Sequence, residues 1–381
     1  MPSTMSSRTA PSVSTCVQLV LNLLGCRCPP NAPPAMPSLT LSPLALLWRS
    51  ARSHASLLYL LLPHAPSLPI KEGSLFVDDR IRPDAFHETK RIIRDFLSGL
   101  GFRSPRTPKN FDLRQQLTAE IASWNIDVST TFTEKMLHNS CNMAECCYSH
   151  ESPEHQYFIA LYTAFTFYAD DHCGADPEPI GQFAQRCLEG APQLDPVLDR
   201  FAAHLNKTFG LWPRIGANAI ISGTFDSMTA MYIEYTTKDM ATRPGATRYP
   251  YYVRTKSGVG PPYAHFIFPS AWRSSVNSYI QIIPELDYFI NCTNDLLSFY
   301  KESLAGETDN YVHLRASAER KSPTDVLRTL AAEVTDTVER IDAITSIDPE
   351  LAALWQRFLQ GYLEFHVKTT RYRLAELDFY A

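Results

Sequence analysis

Apolar residues recur at three- and four-residue steps through most of this chain. Phe158, Leu161, Tyr162, Phe165, Tyr168 and Ala169 make one such stripe, the spacing that lines one face of an amphipathic helix. Val326, Leu330, Val334, Val338 and Ile341 make another. Its start is marked by Ser322-Pro323-Thr324-Asp325, an N-cap serine, a first-turn proline and a capping acid. The span from Leu351 to Leu377 predicts a further long helix, with Leu354, Phe358, Tyr362 and Phe365 on its apolar face. The Pro-, Gly- and Arg-rich stretch 241–263 reads as a loop between helices. No alternating run with paired turn signals predicts a sheet. The expected fold class is all-α, a single helical bundle.

Composition divides the chain. Residues 1–70 contain four Arg, no Lys, no Asp or Glu, and 11 of the 28 prolines. Such an acid-poor, Pro/Ser-rich stretch predicts a poorly ordered N-terminal extension, with N-terminal targeting left open. Residues 71–381 hold 31 basic and 40 acidic residues and are expected to form the helical domain. The whole chain carries a net charge of -5, so no bulk positive charge is available to hold nucleic acid. No apolar run nears the roughly 20 residues of a membrane-spanning helix, so stable membrane insertion is not expected. Nine cysteines without a regular framework argue against a disulfide-stapled secreted scaffold. A cytoplasmic protein is expected, with a homodimer left open.

Two acidic constellations stand out. Asn294, Ser298 and Glu302 fall at i, i+4 and i+8, so they drift only about 40° per step around a helix. Three oxygen-bearing side chains on one face suit Mg²⁺, which prefers hard ligands and shares its remaining positions with substrate phosphates. Lys301, beside the acid, can reach the same anion. A helix whose polar face is merely solvated would show the same spacing. The second constellation, Asp170-Asp171, closes an apolar helix. Carboxylates at a helix C-terminus oppose its partial negative charge unless a cation neutralises them. A solvated helix end is the alternative, because Gly174 and Pro177 follow at once. His172 and Cys173 offer zinc ligands, but no second pair stands at the usual spacing. Near the C-terminus, Arg371-Tyr372 combines a planar donor fork with a hydroxyl.

Taken in order along the chain, Asp-Asp, then Asn-Asp-x-x-Ser-x-x-x-Glu, then Arg-Tyr resembles the class I terpene synthases, and more narrowly the fungal trichodiene synthase family. The resemblance covers roughly residues 110–378. It implies an all-helical bundle around a central cavity, in which three Mg²⁺ ions gather the diphosphate of a prenyl substrate. By resemblance, Asp170 would bind metal with Asp171 assisting, while Asn294, Ser298 and Glu302 would chelate a third ion. Lys301, Arg371 and Tyr372 would donate hydrogen bonds to the diphosphate. Farnesyl diphosphate is the substrate so implied, converted to a sesquiterpene or sesquiterpene alcohol. Tyr162, Phe165, Phe225, Tyr232, Tyr288 and Phe289 are candidates for the cavity wall or for plain core.

Thr224-Phe225-Asp226 through Glu234 is similar to the family's kinked helix before the second metal motif. That alignment puts Ser222 where the family carries a diphosphate-sensing Arg, with Arg214 two turns away. Looser closure, earlier entry of water and alcohol products would follow. Cys173 and Gly174 stand where the family has a further acid, and Asp176 is the nearest replacement. Alternative readings are a monoterpene or linear-alcohol (linalool/nerolidol-type) synthase, a chain-elongating prenyltransferase, and a degenerate helical homologue without activity. The prenyltransferase would carry an Asp-rich second motif, unlike Asn294-Ser298-Glu302.

Overall fold

The N-cap expected at Ser322 is present: its hydroxyl accepts the Asp325 amide at 3.1 Å, and the helix runs Pro323–Thr345. Asp195 and Asp348 cap two more helices in the same way, satisfying first-turn amides that have no partner within the helix. The computed structural model describes residues 83–103, 107–238, 240–273 and 275–377. The extension expected for 1–70 lies outside them.

The longer helices, in chain order, are α1 (Pro83–Gly99), α2 (Phe111–Ala122), α3 (Thr130–Cys147), α4 (Pro153–His172), α5 (Phe183–Glu189), α6 (Pro196–Leu205) and α7 (Arg214–Thr236). They continue as α8 (Tyr249–Ser257), α9 (Gly260–Phe266), α10 (Ile283–Ala305), α11 (Tyr311–Glu319), α12 (Pro323–Thr345) and α13 (Pro349–Lys368). No strand occurs among the described residues, so the fold is all-α.

Helix α4 packs on α3, α3 on α13, and α10 on α9 and α12, while α7 packs on α8 and α9. The stripe read from the sequence is the buried face of α4: Phe158, Leu161, Tyr162, Phe165, Tyr168 and Ala169 are all core residues. Phe165 stacks on Phe201 and Trp124, and Phe289 packs against Trp355 and Tyr362. Burying each such ring contributes about 1.5–3 kcal/mol. Tyr162, Phe165 and Phe289 are therefore core side chains. Phe225, Tyr232 and Tyr288 are half-buried at the edge of that core. A Cβ on Gly361 would lie 2.1 Å from the Cys146 carbonyl oxygen, so only glycine lets α13 approach α3 this closely.

Three expectations need correction. The 241–263 stretch contains α8 and α9 rather than a loop. Its Pro250, Pro261 and Pro262 occupy first turns, where a missing N–H costs nothing. The predicted helix from Leu351 stops at Lys368 instead of running to Leu377. Thr369 turns extended there (φ -84°, ψ 118°), and its hydroxyl accepts from Asn142 of α3. Finally, α7 is one unbroken helix through Thr224 and Glu234. The break that precedes α10 lies between α8 and α9, at Val259 with φ 47°.

Candidate active site

Four segments come together: the C-terminal end of α4, the second half of α10, α8, and the 3₁₀ turn Thr370–Tyr372 that follows α13. The early stop of α13 makes this possible, because a continuous helix would carry Arg371 and Tyr372 onward past α10. The turn instead faces the two residues to different partners. Arg371 Nη1 lies 3.0 Å from Asp171 Oδ2, and Nη2 lies 3.6 Å from Asp170 Oδ2. Its guanidinium rests over the Phe167 ring, 4.9 Å from the centroid, a cation–π contact that orients the fork. Tyr372 turns inward, and its hydroxyl accepts from Asn294 Nδ2 at 3.1 Å. Arg371 thus touches the Asp170-Asp171 pair and Tyr372 the Asn294-Ser298-Glu302 face.

The two carboxylates closing α4 both face the Arg371 guanidinium. Although solvent reaches Asp170, the protein crowded around it pushes its carboxyl upward, and Asp171 adds to this; Arg371, Lys301 and Arg254 pull the other way. The Asp170 carbonyl accepts from the Tyr235 hydroxyl of α7, which ties the end of α7 to the end of α4. Near Asp170, the solvent-reachable Glu234 is pushed up to about 7 by the protein around it and then by Asp170's charge. Asp170, Asp171 and Glu234 thus feel one another's charge, which a bound cation would relieve.

On α10, Asn294 is engaged at both ends of its amide, while Glu302 has Lys301 Nζ 3.2 Å away. Between them the Ser298 hydroxyl is buried and without a hydrogen-bond partner among the described residues. A buried hydroxyl normally finds one. An orphaned oxygen aligned with an amide and a carboxylate on one helix face is a donor set that fits Mg²⁺. Among the described residues, no three His, Cys, Asp or Glu side chains converge as a ready-made metal cluster. The predicted ligands instead form two groups, linked through Arg371 and Tyr372.

The sequence reading missed Arg254. This α8 side chain donates from Nε to Asp295 Oδ2 at 2.7 Å and from Nη2 to the Asn291 carbonyl (2.9 Å) and Asn294 Oδ1 (3.2 Å). Gly258 permits it, since a Cβ there would sit 2.8 Å from Arg254 Nη1 and 1.8 Å from Asn291 Oδ1. The available signal was Arg254-Thr255-Lys256-Ser257-Gly258, a basic helix end just before the break. Ser222 and Arg214 do not take this place. Both belong to α7, whose Tyr235 end meets Asp170. At about 1.5 Å per residue they lie some 20 and 30 Å back along its axis. Asp176 is spent locally: its Oδ1 accepts the Glu178 amide at 3.2 Å.

A family model described as trichodiene synthase matches residues 109–380. The chain is 32% identical over 277 residues to terpene synthase BipA of Cochliobolus sativus, spanning 71% of this chain and 85% of that protein. It is 34% identical over 220 residues to alpha-cuprenene synthase COP6 of Coprinopsis cinerea, spanning 58% and 67%. The crystal structure of linalool/nerolidol synthase from Streptomyces clavuligerus shares the fold. That match has a TM-score of 0.53 at 14% identity and covers 72% of this chain and 98% of that one. No described helix is long and apolar enough to cross a membrane.

Proposed function

The chain belongs to the trichodiene synthase family, and from that premise we propose that it is a terpene synthase that ionises farnesyl diphosphate and converts the cation to a sesquiterpene or sesquiterpene alcohol, releasing diphosphate. The observation that carries this reading is the consecutive pair Arg371-Tyr372, one side chain on Asp170 and Asp171, the other on Asn294. Donors for an anion and oxygens for a cation are thereby interleaved in one cluster of side chains.

Arg371, Tyr372, Lys301 and Arg254 bind and orient the diphosphate, aiming N–H and O–H donors at the oxygens where charge grows as the C–O bond breaks. Asp170, Asn294, Ser298 and Glu302 would hold Mg²⁺. When bound, Mg²⁺ supplies the positive charge that stabilises the leaving diphosphate. Asp171 orients the Arg371 fork.

The looser closure expected from Ser222 loses its ground, because Arg254 supplies a guanidinium at Asn294. Alcohol and hydrocarbon products stand on equal terms. The test is incubation with geranyl, farnesyl and geranylgeranyl diphosphates plus Mg²⁺, read by gas chromatography–mass spectrometry. A C15 product is expected. Turnover of none of the three overturns the assignment, and turnover of the C10 substrate alone overturns the chain length.

A further inference from the structure

His366 is fully buried on α13, directly behind the Asn294–Tyr372 contact, and has no part in the reaction described so far. We infer that His366 is a positioning residue: its neutral ring locks the side-chain amide of Asn294 so that the oxygen, not the nitrogen, faces Arg254 and the metal site. The inference rests on the function proposed above.

The argument starts from a group that cannot flip. His366 Nδ1 lies 2.8 Å from the Tyr362 carbonyl oxygen. A carbonyl only accepts, so Nδ1 carries the proton and donates. In a neutral ring Nε2 is then left as an acceptor. Its neighbour is Asn294 Nδ2, at 3.2 Å, which donates to it and also to Tyr372 Oη at 3.1 Å. With the NH₂ end held by two acceptors, Oδ1 is turned the other way, where Arg254 Nη2 donates to it at 3.2 Å. A flipped amide would set Oδ1 against the Nε2 lone pair and NH₂ against the guanidinium. Both contacts would be repulsive.

The ring itself is fixed. It packs on Tyr372 and Tyr362 with centroids 4.4 and 4.6 Å away, and on Phe365 at 5.0 Å. Tyr362 also donates its hydroxyl to the Ile290 carbonyl at 2.9 Å, one turn before Asn294. This bond sets the register of α13 against α10. The direction of the candidate ligand oxygen is thus inherited from a backbone carbonyl on α13 through one tautomer, the kind of outer contact that fixes a metal ligand's orientation.

The test compares His366→Leu, which keeps bulk but loses the acceptor, with His366→Gln, whose Oε1 can still accept from Asn294. The primary readout is the melting temperature of the full chain titrated with MgCl₂ in the presence of inorganic pyrophosphate. The second is the Mg²⁺ concentration giving half-maximal turnover, compared with kcat. His366→Leu is expected to raise the Mg²⁺ requirement by about 10-fold or more in both, with His366→Gln close to wild type. A wild-type Mg²⁺ response in the Leu variant, or equal loss in Leu and Gln, overturns the inference and leaves the proposed function standing. Should the Leu variant fail to fold, the Gln variant decides: a retained response supports the inference and a lost one overturns it. A wild-type chain with no Mg²⁺-pyrophosphate response removes the proposed function first, and this inference with it.

Discussion

Arg371 pairs with Asp171 across 200 residues of sequence, Nη1 to Oδ2 at 3.0 Å, with a second, 3.5 Å bond from Nη2 to Oδ1. The group suited to bind an anion is thus held by a group suited to bind a cation. Asp170, Asp171, Glu234 and Glu302 would repel a diphosphate that arrived without cations. Turnover is therefore expected to vanish after thorough EDTA treatment and to return on adding Mg²⁺. Activity that survives chelation would remove the metal from the reaction.

Glu302→Gln separates chemistry from stability. Glu302 is the only full charge in its triad, and it pairs with the adjacent Lys301 at 3.2 Å. Removing the charge is expected to lower kcat/KM by roughly 100-fold or more. The melting temperature should move by only about 1–2 °C. Steady-state kinetics beside a thermal melt check both, and a large melt shift with near-normal turnover would contradict the assigned role.

Arg254 has two separable duties. Arg254→Ala leaves Asp295 buried without its partner, which should cost about 3 kcal/mol of stability. Asp295→Asn in that background removes the stranded charge, so denaturant melts should recover most of the loss. Turnover should stay low in both variants if the guanidinium also serves the substrate. Recovery of activity in the double variant would reduce Arg254 to a packing role.

Two buried histidines predict acid sensitivity. Burial pushes His204 down to about 3 and His265 to about 4. The unfolded chain therefore binds protons that the folded one refuses. Stability is full above the ordinary imidazole value and falls as pH drops toward the lowered ones. By about pH 5 each costs about 2 kcal/mol. His204 Nε2 donates to the Phe158 carbonyl at 3.1 Å, and Nδ1 has no hydrogen-bond partner among the described residues. His204→Gln should flatten the wild-type pH profile of unfolding free energy by that amount, measured from about pH 7.5 to 5; an unchanged slope would show that His204 does not titrate there.

Elements whose cause is local were legible in the chain. The stripe on α4, the Ser322 cap and the 40° drift of Asn294, Ser298 and Glu302 depend on helical geometry within a few turns, and each is present. Trichodiene-family order was readable for the same reason, since its motifs lie within single segments. Long-range contacts were not legible. Prolines made α8 and α9 look like a loop, because only the finished packing against α7 and α10 makes first-turn prolines a helix start rather than a break. With those helices hidden, the break before α10 was assigned to α7, and the guanidinium that Arg254 brings to Asn294 went unread. The end of α13 is likewise a tertiary decision: Asn142, on α3, takes the Thr369 hydroxyl and turns the chain. That turn lets Arg371 meet Asp171 and Tyr372 meet Asn294. Sequence alone determined which residue types could hold a metal and a diphosphate; packing decided which of them meet, because a side chain's partner depends on how separate helices are set against each other.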